Sequence, residues 1–171
     1  RRVFTGRRQG ERRPLPLIET QRIAATLRHG GRGDLVHSLG TPPVLDLEPA
    51  PLPIAPYTLG VWLGDGHSAG ARFTNIDQEV VEGVRADGFI VNAGAGSTWG
   101  IRKQQQRWSR DNFEAALRSL DLVNNKHLPV AYLRAGVAER RALLAGMVDT
   151  DGHVTARGQI EFVSVSAALR D

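Results

Sequence analysis

The feature that most constrains this fold is a stretch that occurs twice. Leu143-Leu144-Ala145-Gly146-Met147-Val148-Asp149-Thr150-Asp151-Gly152 is an apolar, small-residue run closing on an acid and a glycine. Tyr57-Thr58-Leu59-Gly60-Val61-Trp62-Leu63-Gly64-Asp65-Gly66 has the same form 86 residues earlier. In a helix Gly60 and Gly64 stand four apart and share a face, as do Gly146 and Thr150. A face without bulky side chains lets two backbones come closer than the usual ~8–10 Å between axes. Two helices in direct contact are therefore predicted. Each ends on an aspartate, Asp65 or Asp151, where the backbone dipole is negative and a carboxylate costs about 0.3–1 kcal/mol. Acid at that end wants a cation. A single Asp-Gly is most simply a turn after a helix, whereas two at matching places behind matching small-residue faces point to a shared site.

The elements around each copy follow from periodicity. Pro56 suits the first turn of a helix reaching about Asp65, because its missing N–H would be unpaired there anyway. Ala71 to Asn75 alternates as a strand, and Asp77 to Ala86 follows as a helix with Val80, Val81 and Val84 apolar. Gly88 to Val91 and Thr98 to Gln104 make a hairpin across the glycine-rich 93–96 segment. Asp111 to Leu120 is a further helix, with Phe113, Ala116, Leu117 and Leu120 at helical spacing. The order is helix, strand, strand, helix, strand, strand, helix, the first strand, around His67, being short. After Pro129 the pattern restarts with a helix over Glu139 to Asp151 and a strand over Gly158 to Val165. Ser166 opens a capped helix, the counterpart of the one at Asp77. The expected class is α+β, a duplicated αββαββα fold with a pseudo-twofold helix pair, repeat one spanning 56–128 and a truncated repeat two 129–171.

Residues 1–55 are expected to be a basic arm and Pro-rich linker. Arginines 1, 2, 7, 8, 12 and 13 crowd the start, as a solvated tail or as a phosphate-gripping arm. Glu19 to Leu27 is a short helix with Ile23, Ala24 and Leu27 on one face. Six of the nine prolines fall from Pro42 to Pro56 and exclude helix or a central strand there.

Leu144 to Gly152 resembles, almost letter for letter, the signature of LAGLIDADG homing endonucleases, and Thr58 to Gly66 resembles it more loosely. Such nucleases are often nested in inteins, and the residues before Pro56 resemble the segment leading from an intein's splicing part into its endonuclease. The resemblance implies a site-specific, metal-dependent endonuclease that hydrolyses both strands of double-stranded DNA at a long target. It carries over Asp65 and Asp151 as ligands of Mg2+, with Mn2+ as a substitute, and the backbone carbonyls of Gly64 and Thr150 as auxiliary ligands. Lys126, in Asn124-Asn125-Lys126-His127-Leu128-Pro129, resembles the block that places a lysine near the active-site water, although an ordinary surface lysine fits as well. The counterpart of Asp149 in the first copy is Leu63, and an asymmetric position does not suit an essential role. The implied partners are duplex DNA and the splicing domain of the same intein, and the implied state is a monomer with pseudo-twofold symmetry. Alternatives on the same scaffold are a catalytically inactive module that binds DNA or supports a splicing domain, and an RNA-binding maturase.

DNA contact falls to the strands. On Thr98 to Gln106, Trp99 and Ile101 take one face, and Arg102, Gln104 and Gln106 the other, continuing into Arg107. Arg72 and Thr74, with Gln159 and Glu161 on the later strand, share the outward phase relative to Phe73, Ile160 and Phe162. Arg suits guanine and Gln suits adenine in a major groove, while a plain solvated sheet face is the competing explanation. His67 and His153, each two residues past an aspartate, suit the groove or phosphate better than a metal, since paired imidazoles would favour zinc.

Composition agrees with that direction. The 171 residues carry a net charge of +4, and of 22 basic residues only Lys103 and Lys126 are lysines. Arginine's planar fork matches phosphate and guanine, although GC-rich coding gives the same bias. With no cysteine, disulfides, thiolate metal sites and cysteine nucleophiles are excluded. No apolar run of membrane length and no signal peptide occurs, so a cytoplasmic protein that does not enter membranes is expected.

Overall fold

The computed structural model describes residues 18–29, 31, 33–35, 37, 44–103 and 112–170. The chain divides after Pro43 into two compact units. In the first, α1 (Thr20–Ala25) has no buried residue, so the expected apolar face of Ile23, Ala24 and Leu27 meets no core. Strands β1 (Arg28–His29) and β2 (Asp34–Leu35) then pair antiparallel, with Gly33 at φ +65° in the turn.

The second unit is α+β, with helices against small antiparallel sheets. Its elements are α2 (Pro56–Asp65), β3 (Arg72–Thr74), α3 (Gln78–Ala86), β4 (Phe89–Ala93), β5 (Thr98–Lys103) and α4 (Phe113–Ser119). Then come α5 (Val130–Leu133), α6 (Val137–Asp151), β6 (Gly152–Val154), β7 (Ile160–Phe162) and α7 (Ala167–Arg170). The short strand expected around His67 shrinks to one antiparallel bridge between Gly66 and Phe73. The turn α5 was not legible as a helix, because four residues give no period.

Helix ends are set by local chemistry. Asp77 caps α3 by accepting from Glu79 N at 2.9 Å, and Asn112 caps α4 by accepting from Ala115 N at 2.8 Å. The first turn of α2 is satisfied from outside. Asp87, just past α3, accepts from Thr58 N at 2.9 Å and from Thr58 Oγ1 at 2.7 Å. That is how the fully buried Thr58 hydroxyl is accommodated.

The larger sheet runs β3–β5–β4, in antiparallel register Arg72↔Gly100 on one side and Asn92↔Gly100 on the other. One face carries Phe73, Trp99, Ile101, Phe89 and Val91 into the core with Trp62, Leu63, Val81, Val84, Phe113 and Leu117. Phe89 and Phe113 meet edge to face, with centroids 5.4 Å apart. The smaller sheet, β6–β7, has a different fate. Ile160 is 64% exposed and Val154 60%, so the apolar phase expected for Ile160 finds nothing to pack on.

Residues 44–55 belong to the second unit and do not behave as a free linker. Tyr132 Oη accepts from Ile54 N at 3.0 Å and donates to Ile54 O at 2.7 Å, and both residues are 1% exposed. The Glu139 carboxylate accepts from Gly136 N at 2.6 Å and from Ala50 N at 3.1 Å, and Arg140 donates to Leu45 O. Prolines at 49, 51 and 53 suit this strap, which needs few N–H donors. No helix among the described residues is long and apolar enough to cross a membrane.

Candidate active site

Helices α2 and α6 touch backbone to backbone. A Cβ placed on Gly60 would lie against Leu143 O, 2.9 Å from Met147 N and 3.0 Å from Gly146 Cα. A Cβ on Gly146 would lie against Tyr57 O, 2.9 Å from Val61 N and 3.1 Å from Gly60 Cα. These two sets of neighbours exchange under the offset that separates Asp65 from Asp151: Tyr57 answers Leu143, Val61 answers Met147, and each glycine answers the other. The helix ends match as well, since Gly66 N donates to Trp62 O and Gly152 N to Val148 O. The contacts at the crossing are thus reciprocal, and only glycine permits them.

One turn further on, the reciprocity ends. A Cβ on Gly64 would collide with the side chain of Thr150 and lie 3.4 Å from Asp151 Oδ2. Thr150 turns its hydroxyl back to Gly146 O and Met147 O, at 3.0 and 2.9 Å. The absent side chain at Gly64 therefore leaves room for Thr150, and the Asp151 carboxylate comes within contact distance of the end of α2, where Asp65 stands.

Lys126 joins this end. Its Nζ donates to the carbonyls of Leu63 and Gly64, both at 3.0 Å, and lies 5.2 Å from the centroid of the Trp62 ring. The negative end of α2 and the ring's π face both favour an ammonium there. Its loop is pinned by Asn124 N donating to Ser68 O at 2.8 Å, with Asn124 at φ 55°, a conformation that Asn tolerates better than most residues. Burial holds the Lys126 ammonium below its ordinary range, with Asp151 and then Asp65 pulling the other way. Burial raises the Asp65 carboxyl; Asn75 opposes this, Asp151 adds to it and Lys126 again opposes. Asp65 and Lys126 thus each feel the other and the neighbouring Asp151 carboxylate.

Among the described residues no three His, Cys, Asp or Glu side chains gather into a metal cage. Two carboxylates and a carbonyl-rich helix end are nonetheless the hard oxygen donors that Mg2+ accepts while keeping several waters and substrate oxygens. The Gly64 carbonyl already accepts from Lys126, which limits its service as an auxiliary ligand to its second lone pair.

Of the other candidates, Arg72, Thr74, Arg102, His153 and Glu161 fall on strands, while His67 and Gln159 lie outside them. His67 Nε2 lies 2.9 Å from Thr74 Oγ1, and Thr74 Oγ1 lies 3.4 Å from Thr98 Oγ1. The register puts Arg72, Thr74, Thr98, Asn92 and Arg102 on one face, with both arginines exposed. His153 pairs across from Glu161 on β6–β7, and both are exposed, as is Gln159. Gln104, Gln106 and Arg107 lie outside the described residues. Asp149 accepts from Tyr57 Oη at 3.0 Å, a brace between the helices.

Sequence reasoning missed Asn75. Its Nδ2 donates to Asp65 Oδ2 at 2.6 Å and its Oδ1 accepts from Asp77 N at 2.6 Å. The Asn-x-Asp spacing before a helix was a visible sign of the second contact, but the first depends on the Gly66–Phe73 bridge.

No protein-family model matches the chain. A stretch of 144 residues, 84% of the chain, is 40% identical to the replicative DNA helicase DnaB of Mycobacterium intracellulare, and it covers 22% of that protein. The chain thus spans about a fifth of the length of the relative it matches.

Proposed function

We propose that this chain is a metal-dependent, site-specific double-strand DNA endonuclease of the LAGLIDADG kind, built on a duplicated αββαββα unit and carried in an intein. The observation that carries the reading is the glycine crossing of α2 and α6, whose contacts exchange under one offset and which sets Asp65, Asp151 and Lys126 together at one end. A partial match to a helicase is what an element inserted in that host would give. The implied surroundings are the cytoplasm, a splicing domain of the same intein and duplex DNA.

In this reading Asp65 and Asp151 would hold Mg2+, and the chemistry it would supply there is charge neutralisation at the scissile phosphate and a lowered pKa for the attacking water. Lys126 supplies a fixed positive charge beside the two carboxylates and stabilises the negative charge that develops during cleavage. The face bearing Arg72, Thr74 and Arg102 lies against the major groove, with Arg72 and Arg102 reading guanine or gripping phosphate. His67, steadied by Thr74, borders the same groove.

A catalytically inactive module on the same scaffold is favoured by one observation. Leu144 is 55% exposed on α6, whereas its counterpart Thr58 on α2 is fully buried, so the second helix lacks the cover that the first has. Incubating the chain with duplex DNA carrying an uninterrupted mycobacterial replicative-helicase coding sequence, with and without Mg2+, separates the two. Mg2+-dependent linear product supports the nuclease; specific retention of the duplex without cutting supports the inactive module.

A further inference from the structure

Asn75, the residue after β3, is held by four hydrogen bonds. Its backbone N–H donates to Ser97 O at 3.0 Å, and its carbonyl accepts from the indole N–H of Trp99 at 2.9 Å. The side-chain amide spans two groups that fix its orientation. The backbone N–H of Asp77 can only donate, so it takes the amide oxygen, and the NH2 must face the Asp65 carboxylate, which when ionised can only accept. Reversing the amide would lose both bonds.

The second half of the domain has a different residue at this place. Gly66 pairs with Phe73 as Gly152 pairs with Phe162. Counting on from the two phenylalanines, Ser164 stands where Asn75 stands, and Ser166 where Asp77 stands. Ser164 Oγ accepts from Ser166 N at 3.2 Å, repeating the Asn75–Asp77 contact, and α7 starts at the next residue as α3 starts after Asp77. The turn is common to both halves, but the amide that reaches back to the aspartate exists only in the first. Among the described residues no side chain donates a hydrogen bond to Asp151.

We propose that Asn75 is a positioning residue that fixes the Asp65 carboxylate for metal, making the two halves of the site unequal and the cutting of one strand dependent on it. This rests on the nuclease reading above. Holding one carboxylate oxygen through a rigid donor aims the other at the ligand, and removing a partner of this kind typically costs ~10–100-fold in metal affinity or activity.

The decisive variant is Asn75→Ser, which copies Ser164. It keeps an acceptor for Asp77 N and loses only the donor to Asp65, whereas Asn75→Ala loses both. Three readouts on the full chain are needed: the thermal midpoint, Mn2+ binding by electron paramagnetic resonance without DNA, and the nicked and linear products from a plasmid bearing the helicase coding sequence. For Asn75→Ser the expected result is an unchanged midpoint, Mn2+ binding weakened ~10–100-fold and accumulation of nicked circle. Wild-type Mn2+ affinity and products in Asn75→Ser, with a midpoint lowered only in Asn75→Ala, would show that the residue merely holds the turn. Unfolding of Asn75→Ser would equally overturn the proposal in favour of a structural role. If the wild-type chain itself neither binds Mn2+ nor cuts, the nuclease reading fails; if it does both and Asn75→Ser matches it, only the present inference fails.

Discussion

Gly60 and Gly146 cross with so little room that a Cβ on the first would sit 3.0 Å from the Cα of the second, with backbone atoms of α6 on its other sides. Backbone cannot move aside as a flexible side chain can. Gly60→Ala and Gly146→Ala are each expected to cost about 1–3 kcal/mol through overpacking and to separate the helix ends. Urea denaturation of the single variants checks this, and an unshifted midpoint would mean that the helices are not in contact.

Gly64 makes a different prediction, because its neighbour is the side chain of Thr150. Gly64→Ala should destabilise the chain, and adding Thr150→Gly should recover most of the loss by moving the gap to the other helix. A double-mutant cycle measures the coupling, expected at about 0.5–3 kcal/mol; strictly additive effects would contradict this packing.

Lys126→Met keeps an apolar stem beside Trp62 and removes the charge bonded to the Leu63 and Gly64 carbonyls. Duplex binding should persist while cleavage falls ~10²–10³-fold, as for loss of other preorganised charge stabilisers. The pH profile should be narrow, since cleavage needs Asp65 ionised and Lys126 protonated. Burial raises the first and lowers the second in the metal-free chain, whereas a bound cation pulls the Asp65 carboxyl down. The acid limb should therefore move to lower pH as Mg2+ is raised, while the alkaline limb stays below the ordinary lysine range. Cleavage rates measured across pH for the wild-type chain check both limbs.

Burial pushes the Tyr132 phenol up from 10.0 to about 12, the backbone bond to Ile54 opposing. Below pH 10 the phenol is neutral in both folded and unfolded chains. Between pH 10 and about 12 the unfolded chain gives up a proton that the folded one keeps, so stability falls as pH rises, by on the order of 2 kcal/mol. Burial, followed by the bond to Asp149, raises Tyr57 as well and adds in the same direction. Denaturation midpoints from pH 8 to 12 should fall less steeply in Tyr132→Phe than in the wild type; parallel slopes would exclude this account of the strap.

How much of this was legible in the sequence differs from element to element. Helix α2, with Pro56 at its start and Gly66 at its end, could be read almost to the residue, because punctuation and glycine spacing are local signals. The same holds for α3, whose valines recur at helical spacing behind Asp77. The strap was not legible. Prolines predict an extended backbone, but whether it floats or lies down depends on Tyr132 and Glu139, 78 and 89 residues away from their partners. Asn75 escaped for the same reason, as its second contact forms only after a strand pairs. The outward Ile160 misled because alternation records which face could be buried, and β6–β7 offers nothing to bury it against.

The most direct test of the central claim, that the glycine crossing exists to bring Asp65 and Asp151 onto shared metal, is cleavage of a helicase-gene plasmid by Asp65→Asn and Asp151→Asn with Mg2+. Each variant is expected to bind the duplex like the wild type and to yield no linear product. Linear product at the wild-type rate from either variant would contradict the claim, and loss of duplex binding together with cutting would count against a metal role for the aspartates.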